Sequence, residues 1–275
     1  MPVWKRLKKS ISGWIQIDNT IILTGKEYVM IPKIVHYCWF GSDKPGKIRR
    51  RIESWKKLLP DYEIWEWNEK NFDVYSIPYT SAAYRAGKYA FVSDATRVHA
   101  LFHYGGIYLD MDVKVYQNFD SILSHRCVLG FEEELYVATS FMACEPKHPL
   151  MKQFLLLYEN LAFYDRNGEP IPGTNVEKLT RMLEKRGLQR KDEYQELSDG
   201  IVVYPQEYFS PYDYANCLHH NTERTICEHL FAVSWLPGNV KIRKGIKQVA
   251  GPLLGKEKMD WTRKKLEKFR EYMNR

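Results

Sequence analysis

The run from Ser93 to Asp112 constrains the fold of this chain more strongly than any other stretch of its sequence. Apolar side chains recur at helical spacing between Ser93 and Tyr104, and the pair Gly105-Gly106 follows where a helix would end in a C-terminal cap. Residues 107–110 then have the short apolar pattern of a buried strand. We therefore predict a helix, a glycine turn and a buried strand in immediate succession.

Other segments continue this alternation of helices and strands. Strands are predicted at 33–40, 62–67, 127–131, 137–143 and 201–204, and helices at 45–60, 149–162 and 176–187. Such alternation indicates an α/β sheet that helices cover on both faces. No internal repeat and no linker is evident before about residue 240, so a single domain is expected.

Positive charge is concentrated at the two ends of the chain. The net charge is +7 over 275 residues, but residues 241–275 carry twelve basic and four acidic side chains, and residues 1–30 carry five and two. Residues 31–240 are therefore mildly acidic, at −4. This distribution argues against a nucleic-acid-binding protein, the non-enzyme alternative that a pI near 9.0 and abundant aromatic residues suggest.

The cysteines and the hydropathy pattern indicate the cellular compartment in which the protein is expected. The five cysteines form no C-x-x-C pair and leave one over, which fits neither a disulfide framework nor a zinc site. No apolar run approaches the roughly 18 residues of a membrane span, and no secretory signal is evident. We expect a cytoplasmic protein in a reducing compartment.

Two carboxylates end the strand at 107–110. Asp110 and Asp112 are two residues apart, so in extended backbone both side chains point to one side. Ligands bind at strand ends in α/β sheets, and paired carboxylates suit Mg²⁺ or Mn²⁺ bound to a phosphate. A pair of solvated acids opening a loop is the alternative.

Asp94 and Arg97 lie on the helix that leads into this strand. Their spacing of three places both on one helix face, where the side chains meet. As a surface ion pair they would contribute little to stability. As part of a site, the carboxylate would accept hydrogen bonds from sugar hydroxyls while the guanidinium orients it.

A third candidate group lies late in the chain. His229 could supply a third ligand to a metal held by two aspartates, and Ser234 and Trp235 could donate hydrogen bonds to a phosphate oxygen. A structural histidine and a core tryptophan are the alternatives.

Four motifs together resemble one family. They are Trp39-Phe40-Gly41 after the first predicted strand, S-D-x-x-R at 93–97, G-G-x-Y-L-D-x-D at 105–112 and H-x-x-x-x-S-W at 229–235. This set is similar to the DXD-containing sugar transferases, which include Och1-like yeast mannosyltransferases and bacterial capsular polysaccharide transferases, with the clostridial glucosylating toxins more distant. The similarity extends over about residues 31–236.

The resemblance implies a GT-A-type, Rossmann-like domain and a retaining transfer of a hexose from a UDP- or GDP-sugar, with Mn²⁺ or Mg²⁺. The acceptor would be a glycan or a lipid-linked glycan, in capsular or surface polysaccharide synthesis. Yeast members begin with a membrane anchor that is not evident here, which favours a bacterial cytoplasmic enzyme.

The resemblance also implies roles for individual residues. Trp39 would flank the nucleobase, and Asp94 and Arg97 would hold the donor sugar. Tyr108 and Asp110 would contact the nucleotide, with Asp110 also facing the metal. The remaining roles are direct metal binding by Asp112 and closure of the diphosphate side by His229, Ser234 and Trp235.

The ends of the chain are predicted to flank the catalytic domain of residues 31–240. Residues 241–275 have apolar positions at helical spacing among basic ones, and residues 1–30 repeat the pattern through Val3, Leu7, Ile11, Trp14 and Ile15. They are interpreted as basic amphipathic helices, packed on the domain or attached to the anionic inner face of the cell membrane.

A second enzyme class shares part of the D-x-D motif. Leu109-Asp110-Met111-Asp112-Val113 matches part of the nucleophile motif of haloacid-dehalogenase-like phosphatases. That motif ordinarily ends the first strand of its domain, whereas Asp110 follows at least two predicted strands and two predicted helices. A transferase is therefore the better prediction.

Overall fold

The computed structural model describes residues 8–9, 15–17, 20–23, 26–41, 43–169, 171, 173–214 and 216–231. The strands of these residues are β1 (Lys8–Lys9), β2 (Ile15–Ile17), β3 (Thr20–Leu23), β4 (Lys26–Val29), β5 (Ile34–Cys38), β6 (Glu63–Trp67), β7 (Gly106–Leu109), β8 (Val113–Val115), β9 (Cys127–Gly130), β10 (Phe141–Cys144), β11 (Gln195–Glu196), β12 (Ile201–Tyr204), β13 (Tyr212–Asp213), β14 (Leu218–His219) and β15 (Cys227–His229). The α-helices are α1 (Gly46–Leu58), α2 (Pro78–Arg85), α3 (Tyr89–Tyr104), α4 (Pro149–Glu159), α5 (Asn175–Glu184) and α6 (Gln206–Phe209).

Seven strands form the central sheet, in the order β11-β12-β9-β10-β7-β5-β6. β5 runs parallel to β6 and β7, and β12 runs parallel to β9. β10 is antiparallel to both β7 and β9, and β11 is antiparallel to β12. Five strands therefore share one direction, and β10 and β11 run against them.

Helices cover both faces of this sheet. On one face the apolar residues of α3, α4 and α5 pack with Tyr108, and on the other α1 and α6 pack with Ile107 and Leu109. Alternate side chains of β7 thus enter opposite cores, as the pleat of a strand requires. The α/β prediction is confirmed.

Several element boundaries differ from the predictions. Helix α3 begins at Tyr89 rather than Ser93, because buried Val92 extends its apolar stripe by a turn. The strand predicted at 137–143 is only Phe141–Cys144, because Val137 forms an isolated bridge with Phe131 instead. Helix α2 was not predicted.

The helix predicted within residues 1–30 is wrong for the described residues. β1, β2, β3 and β4 form an antiparallel four-stranded sheet. One physical reason is that β-branched residues, which favour strands, dominate at 15–17 and 20–23. A second is that only two residues separate β2 from β3 and β3 from β4, as in tight hairpins. Residues 241–275 lie outside the described residues.

None of the helices in the described part of the chain has the length and apolar character that a membrane span requires. All five cysteines are buried and unpaired.

Candidate functional site

The carboxyl ends of the parallel strands converge on one edge of the sheet. Trp39 follows β5, Asp110 follows β7 and Glu132 lies two residues beyond β9. This edge is where open α/β sheets bind ligands, because the loops that leave it diverge around a crevice. The sequence-predicted residues Trp39 and Asp110 therefore lie at the expected edge.

A two-stranded ribbon brings His229 beside the aspartates. β15 pairs antiparallel with β8, so that His229 lies opposite Val113, and the Leu230 N–H donates to the Asp112 carbonyl at 3.2 Å. One ligand atom each from Asp110, Asp112 and His229 lies within 4.8 Å of the others. Residues 117 positions apart in the sequence thus surround one point.

His229 is electrostatically coupled to carboxylates on two sides. Its Nε2 is 3.4 Å from Asp112 Oδ1, and its Nδ1 is 3.9 Å from Glu132 Oε2. Burial opposes the charged imidazolium, but the negative charges of Asp112, Glu132 and Asp110 outweigh burial and raise the pKa of His229 to about 9. Burial in turn raises the pKa of Glu132 to about 7.

The donor set fits a divalent cation. Two carboxylates and one imidazole supply hard and borderline ligands of the kind that Mn²⁺ and Mg²⁺ accept. The Nε2 atom of His229 faces Asp112, and its Nδ1 atom is buried with no hydrogen-bond partner among the described residues. Asp110, Asp112 and His229 could therefore hold the metal that the motifs predict.

Arg97 connects the two groups of predicted residues. Its Nη2 lies 3.0 Å from Asp94 Oδ1 and 3.1 Å from Asp110 Oδ1, and its Nη1 donates to the Thr139 carbonyl and hydroxyl oxygens at 3.0 and 2.9 Å. The guanidinium also lies over the Tyr108 ring, 4.7 Å from its centroid. One cation thus joins α3 to the ends of β7 and β10.

The surface-pair alternative for Asp94 and Arg97 is wrong. Arg97 is only 4% exposed, because this face of α3 packs onto the sheet. Burial raises the pKa of Asp94 to about 7, and the adjacent Arg97 acts against that rise. The opposing carboxylates hold the pKa of Arg97 well above its ordinary value.

Further donors orient both carboxylates. The Asn175 amide, at the start of α5, donates to Asp94 Oδ1 at 2.7 Å. The Tyr108 hydroxyl donates to Asp110 Oδ1 at 2.8 Å. Hydrogen bonds from neighbouring side chains therefore fix the orientation of both Asp94 and Asp110.

Of the other residues predicted from the sequence, Trp39 is described and Ser234 and Trp235 are not. Trp39 is half-buried after β5, where its backbone N–H donates to the Trp67 carbonyl at 2.9 Å and its ring packs on the α1 face of the sheet. Ser234 and Trp235 lie outside the described residues.

Sequence reasoning missed three polar residues of the site. Glu132 follows the apolar run of β9, so the strand-end argument applied to Asp110 could have found it. Asn175 lies in the capping box of α5, which predicts a helix start but not the contact of Asn175 with Asp94. Thr139 carries no comparable signal.

Comparison with known proteins finds similarity in the segment that contains Asp94, Arg97 and the D-x-D pair. Residues 45–129 match the family model of the glycosyltransferase sugar-binding region containing the DXD motif. The chain is 27% identical over 139 residues to inositol phosphoceramide mannosyltransferase 1 of Schizosaccharomyces pombe, covering 46% of this chain and 42% of that protein. It is 31% identical over 140 residues to lactosylceramide 4-alpha-galactosyltransferase of Mus musculus, covering 50% and 37%.

A solved structure of PaToxG glycosyltransferase is also similar, at 20% identity and a TM-score of 0.40, covering 46% of this chain and 60% of that one. The chain spans about two fifths of the length of the curated relatives it matches. Asp94, Arg97, Asp110 and Asp112 lie inside the matched segment, and Trp39 and His229 lie outside it. Residues 45–129 therefore match the glycosyltransferase sugar-binding region containing the DXD motif, and the resemblance predicted from the motifs is confirmed over this segment.

Proposed function

We propose that the chain is a metal-dependent, retaining hexosyltransferase that moves a hexose from a UDP- or GDP-sugar to a glycan acceptor. One observation carries the proposal. Asp110, Asp112 and His229 converge on one point at the carboxyl edge of the sheet, and Arg97 joins Asp110 directly to Asp94. A cation position next to a buried, oriented carboxylate suits a diphosphate and the sugar attached to it.

Each part of the site has a task in this reaction. A bound Mn²⁺ or Mg²⁺ would supply Lewis-acid stabilisation of the nucleoside diphosphate leaving group. Asp112, Asp110 and His229 would hold that ion, and Asp94 would accept hydrogen bonds from sugar hydroxyls. Arg97 orients both Asp94 and Asp110, because its Nη2 atom approaches one carboxylate oxygen of each.

The remaining contacts follow from the family resemblance. Trp39 would flank the nucleobase, Tyr108 would contact the nucleotide, and Ser234 and Trp235 would donate to diphosphate oxygens. Fixed donors aimed at developing negative charge would lower the barrier to leaving-group departure.

Retention of configuration admits two routes. One forms a covalent bond to an enzyme carboxylate, and the other brings the acceptor to the same face that the diphosphate leaves. We favour same-face attack because the family resemblance assigns no carboxylate to a nucleophile role. In that route the bond from the anomeric carbon to the diphosphate oxygen breaks, the bond to the acceptor oxygen forms, and the acceptor proton passes to the leaving phosphate.

The acceptor is proposed to be a glycan, free or carried on a lipid. Two relatives are named for inositol phosphoceramide and for lactosylceramide, which supports a lipid-linked acceptor. A role in bacterial capsular or surface polysaccharide synthesis, in the cytoplasm or on the inner face of the cell membrane, remains our proposal from the motifs.

The phosphatase alternative gains no support from the site. There Asp110 would attack phosphorus, but both Arg97 and the Tyr108 hydroxyl bond to its Oδ1 atom. No observation favours nucleic-acid binding either.

The test is donor hydrolysis without acceptor. The protein is incubated with Mn²⁺ and a panel of UDP- and GDP-sugars, and free sugar and nucleoside diphosphate are quantified with and without a chelator. One donor should be hydrolysed slowly in a metal-dependent manner, with the released sugar retaining its configuration. Equal release by protein carrying Asp112→Asn, or release of inorganic phosphate alone, would contradict the proposal.

A further inference from the structure

Glu132 is a buried carboxylate beside the candidate metal site that the proposed function does not use. It lies at the carboxyl edge of the sheet, and its side chain is 12% exposed. Its N–H donates to the Tyr136 carbonyl at 2.8 Å, and the bridge between Phe131 and Val137 closes the same turn. The turn therefore fixes the backbone of Glu132 next to His229.

The two ring nitrogens of His229 face different groups. Nε2 lies 3.4 Å from Asp112 Oδ1, on the side of the metal ligands. Nδ1 is buried, has no hydrogen-bond partner within the described ranges, and points toward Glu132 Oε2 at 3.9 Å. The aromatic ring of Phe231 packs on the imidazole, with centroids 4.0 Å apart, and restricts its movement.

A metal ion at Nε2 would fix where the histidine proton lies. A neutral imidazole that offers Nε2 to a cation carries its proton on Nδ1. A buried N–H without an acceptor is costly, so Nδ1 needs an acceptor whenever the ion is bound. Glu132 Oε2 is the carboxylate oxygen that lies on this side of the ring.

We propose that Glu132 is a positioning residue, which accepts the Nδ1 proton of His229 and so holds Nε2 toward the metal ion. The proposal rests on the metal site of the proposed function. The separation of 3.9 Å exceeds an ordinary N–H···O hydrogen bond by about 1 Å, so a small shift of either side chain completes the contact. A carboxylate behind a ligating histidine selects its tautomer, fixes its ring plane and makes the ligand nitrogen more basic.

The first test measures Mn²⁺ affinity of the full chain by calorimetric titration, without nucleotide. Glu132→Ala should weaken Mn²⁺ binding by about 10- to 100-fold. Glu132→Gln should weaken binding less, because its amide oxygen still accepts a hydrogen bond. The matched control is Glu133→Gln, which removes the same charge from the neighbouring residue. The Glu133 side chain accepts a hydrogen bond from the Tyr214 backbone N–H instead of facing His229.

A double-mutant cycle tests whether Glu132 acts through His229. In the background of His229→Ala, Glu132→Ala should cause no further loss of Mn²⁺ affinity, because the residue that it positions is gone. Thermal melting of each metal-free variant reports folding, and a metal-free melting temperature close to that of the unsubstituted chain should accompany the loss of affinity.

The outcomes separate this inference from the function on which it rests. Unchanged affinity in Glu132→Ala, or additive losses in the double variant, would overturn the positioning role while Asp112→Asn still abolishes binding. Unchanged affinity in Asp112→Asn would overturn both the metal site and the inference. If Glu132→Ala fails to fold, Glu132→Gln decides, and its affinity must fall below that of Glu133→Gln.

Discussion

At the scale of single residues, Arg97 allows the Asp94 and Asp110 carboxylates to lie close together at one edge of the sheet. Asp94 and Asp110 both approach its Nη2 atom, and each would repel the other without an intervening cation. The close approach of Asp94 and Asp110, the residues proposed to bind the sugar and the metal, therefore depends on one guanidinium.

We predict that Arg97→Ala destabilises the fold as well as abolishing activity. The substitution leaves the Asp94 and Asp110 carboxylates and the Thr139 carbonyl without their shared donor. Breaking a buried ion pair on one side costs about 3–5 kcal/mol, far more than the 0–1 kcal/mol of an exposed pair. Denaturant unfolding measures this, and a loss below about 1 kcal/mol would show that the pair is not structural.

Asp112→Asn should abolish activity without destabilising the fold. The amide is nearly isosteric, so the melting temperature should remain close to that of the unsubstituted chain while Mn²⁺ binding and donor hydrolysis are lost. Asp110→Asn should be nearly as damaging, since it also removes a ligand charge. Asp61→Asn, on an exposed residue before β6, is the matched control. Mn²⁺-dependent hydrolysis by Asp112→Asn would refute the metal assignment.

At the scale of elements, a buried histidine joins β5 to the turn between α3 and β7. His36 Nε2 lies 2.7 Å from the Gly105 carbonyl, and the Trp67 indole N–H donates to His36 Nδ1 at 3.1 Å. A carbonyl only accepts and an indole N–H only donates, so the imidazole is neutral with its proton on Nε2. Gly106 adopts φ +94°, and a Cβ there would lie 2.6 Å from the Ile34 carbonyl oxygen, which explains the glycine.

This arrangement predicts a loss of stability in mild acid. Burial lowers the pKa of His36 from 6.5 to about 4. Above pH 6.5 the histidine is neutral in both the folded and unfolded states, so its full contribution is present. As pH falls from 6.5 to 4 only the unfolded state gains the proton, and the folded state loses about 3 kcal/mol of relative stability.

Substitution of His36 by a side chain that does not titrate tests this prediction. His36→Gln keeps an N–H donor for the Gly105 carbonyl, and its unfolding free energy should fall less between pH 7 and pH 4 than that of the unsubstituted chain. Denaturant unfolding at several pH values measures both slopes. Parallel slopes would show that His36 does not cause the acid sensitivity.

At the scale of the whole molecule, charge is divided between a mildly acidic body and basic ends. Each Lys or Arg near an anionic membrane surface contributes about 1 kcal/mol to the binding free energy. The net positive charge of residues 241–275 would therefore suffice for reversible attachment. We expect the full chain to float with anionic vesicles at low salt, and to float less at high salt or with neutral vesicles.

A chain truncated after Gly255 is the comparison for this experiment. It lacks the segment in which Leu266, Phe269 and Met273 follow Met259 at helical spacing among basic residues. Its flotation with anionic vesicles should be weaker. Equal flotation of both forms would show that this segment does not attach the protein to a membrane.

Local patterns in the sequence were enough for the main elements and for much of the site. The apolar periodicity of α1, the buried β5 and the glycine turn before β7 are encoded by neighbouring residues, so their positions were predictable. The D-x-D pair and the S-D-x-x-R spacing likewise lie within one strand end and one helix turn.

The tertiary structure decided which distant residues join them. His229 was nominated from the sequence, but only the pairing of β15 with β8 sets it opposite Val113 and beside Asp112. The contacts of Glu132 with His229 and of Asn175 with Asp94, and the burial of Arg97, also depend on how separate elements pack. Periodicity reports which face of an element is apolar, whereas register and contact between distant segments follow from the free energy of burying the whole chain at once.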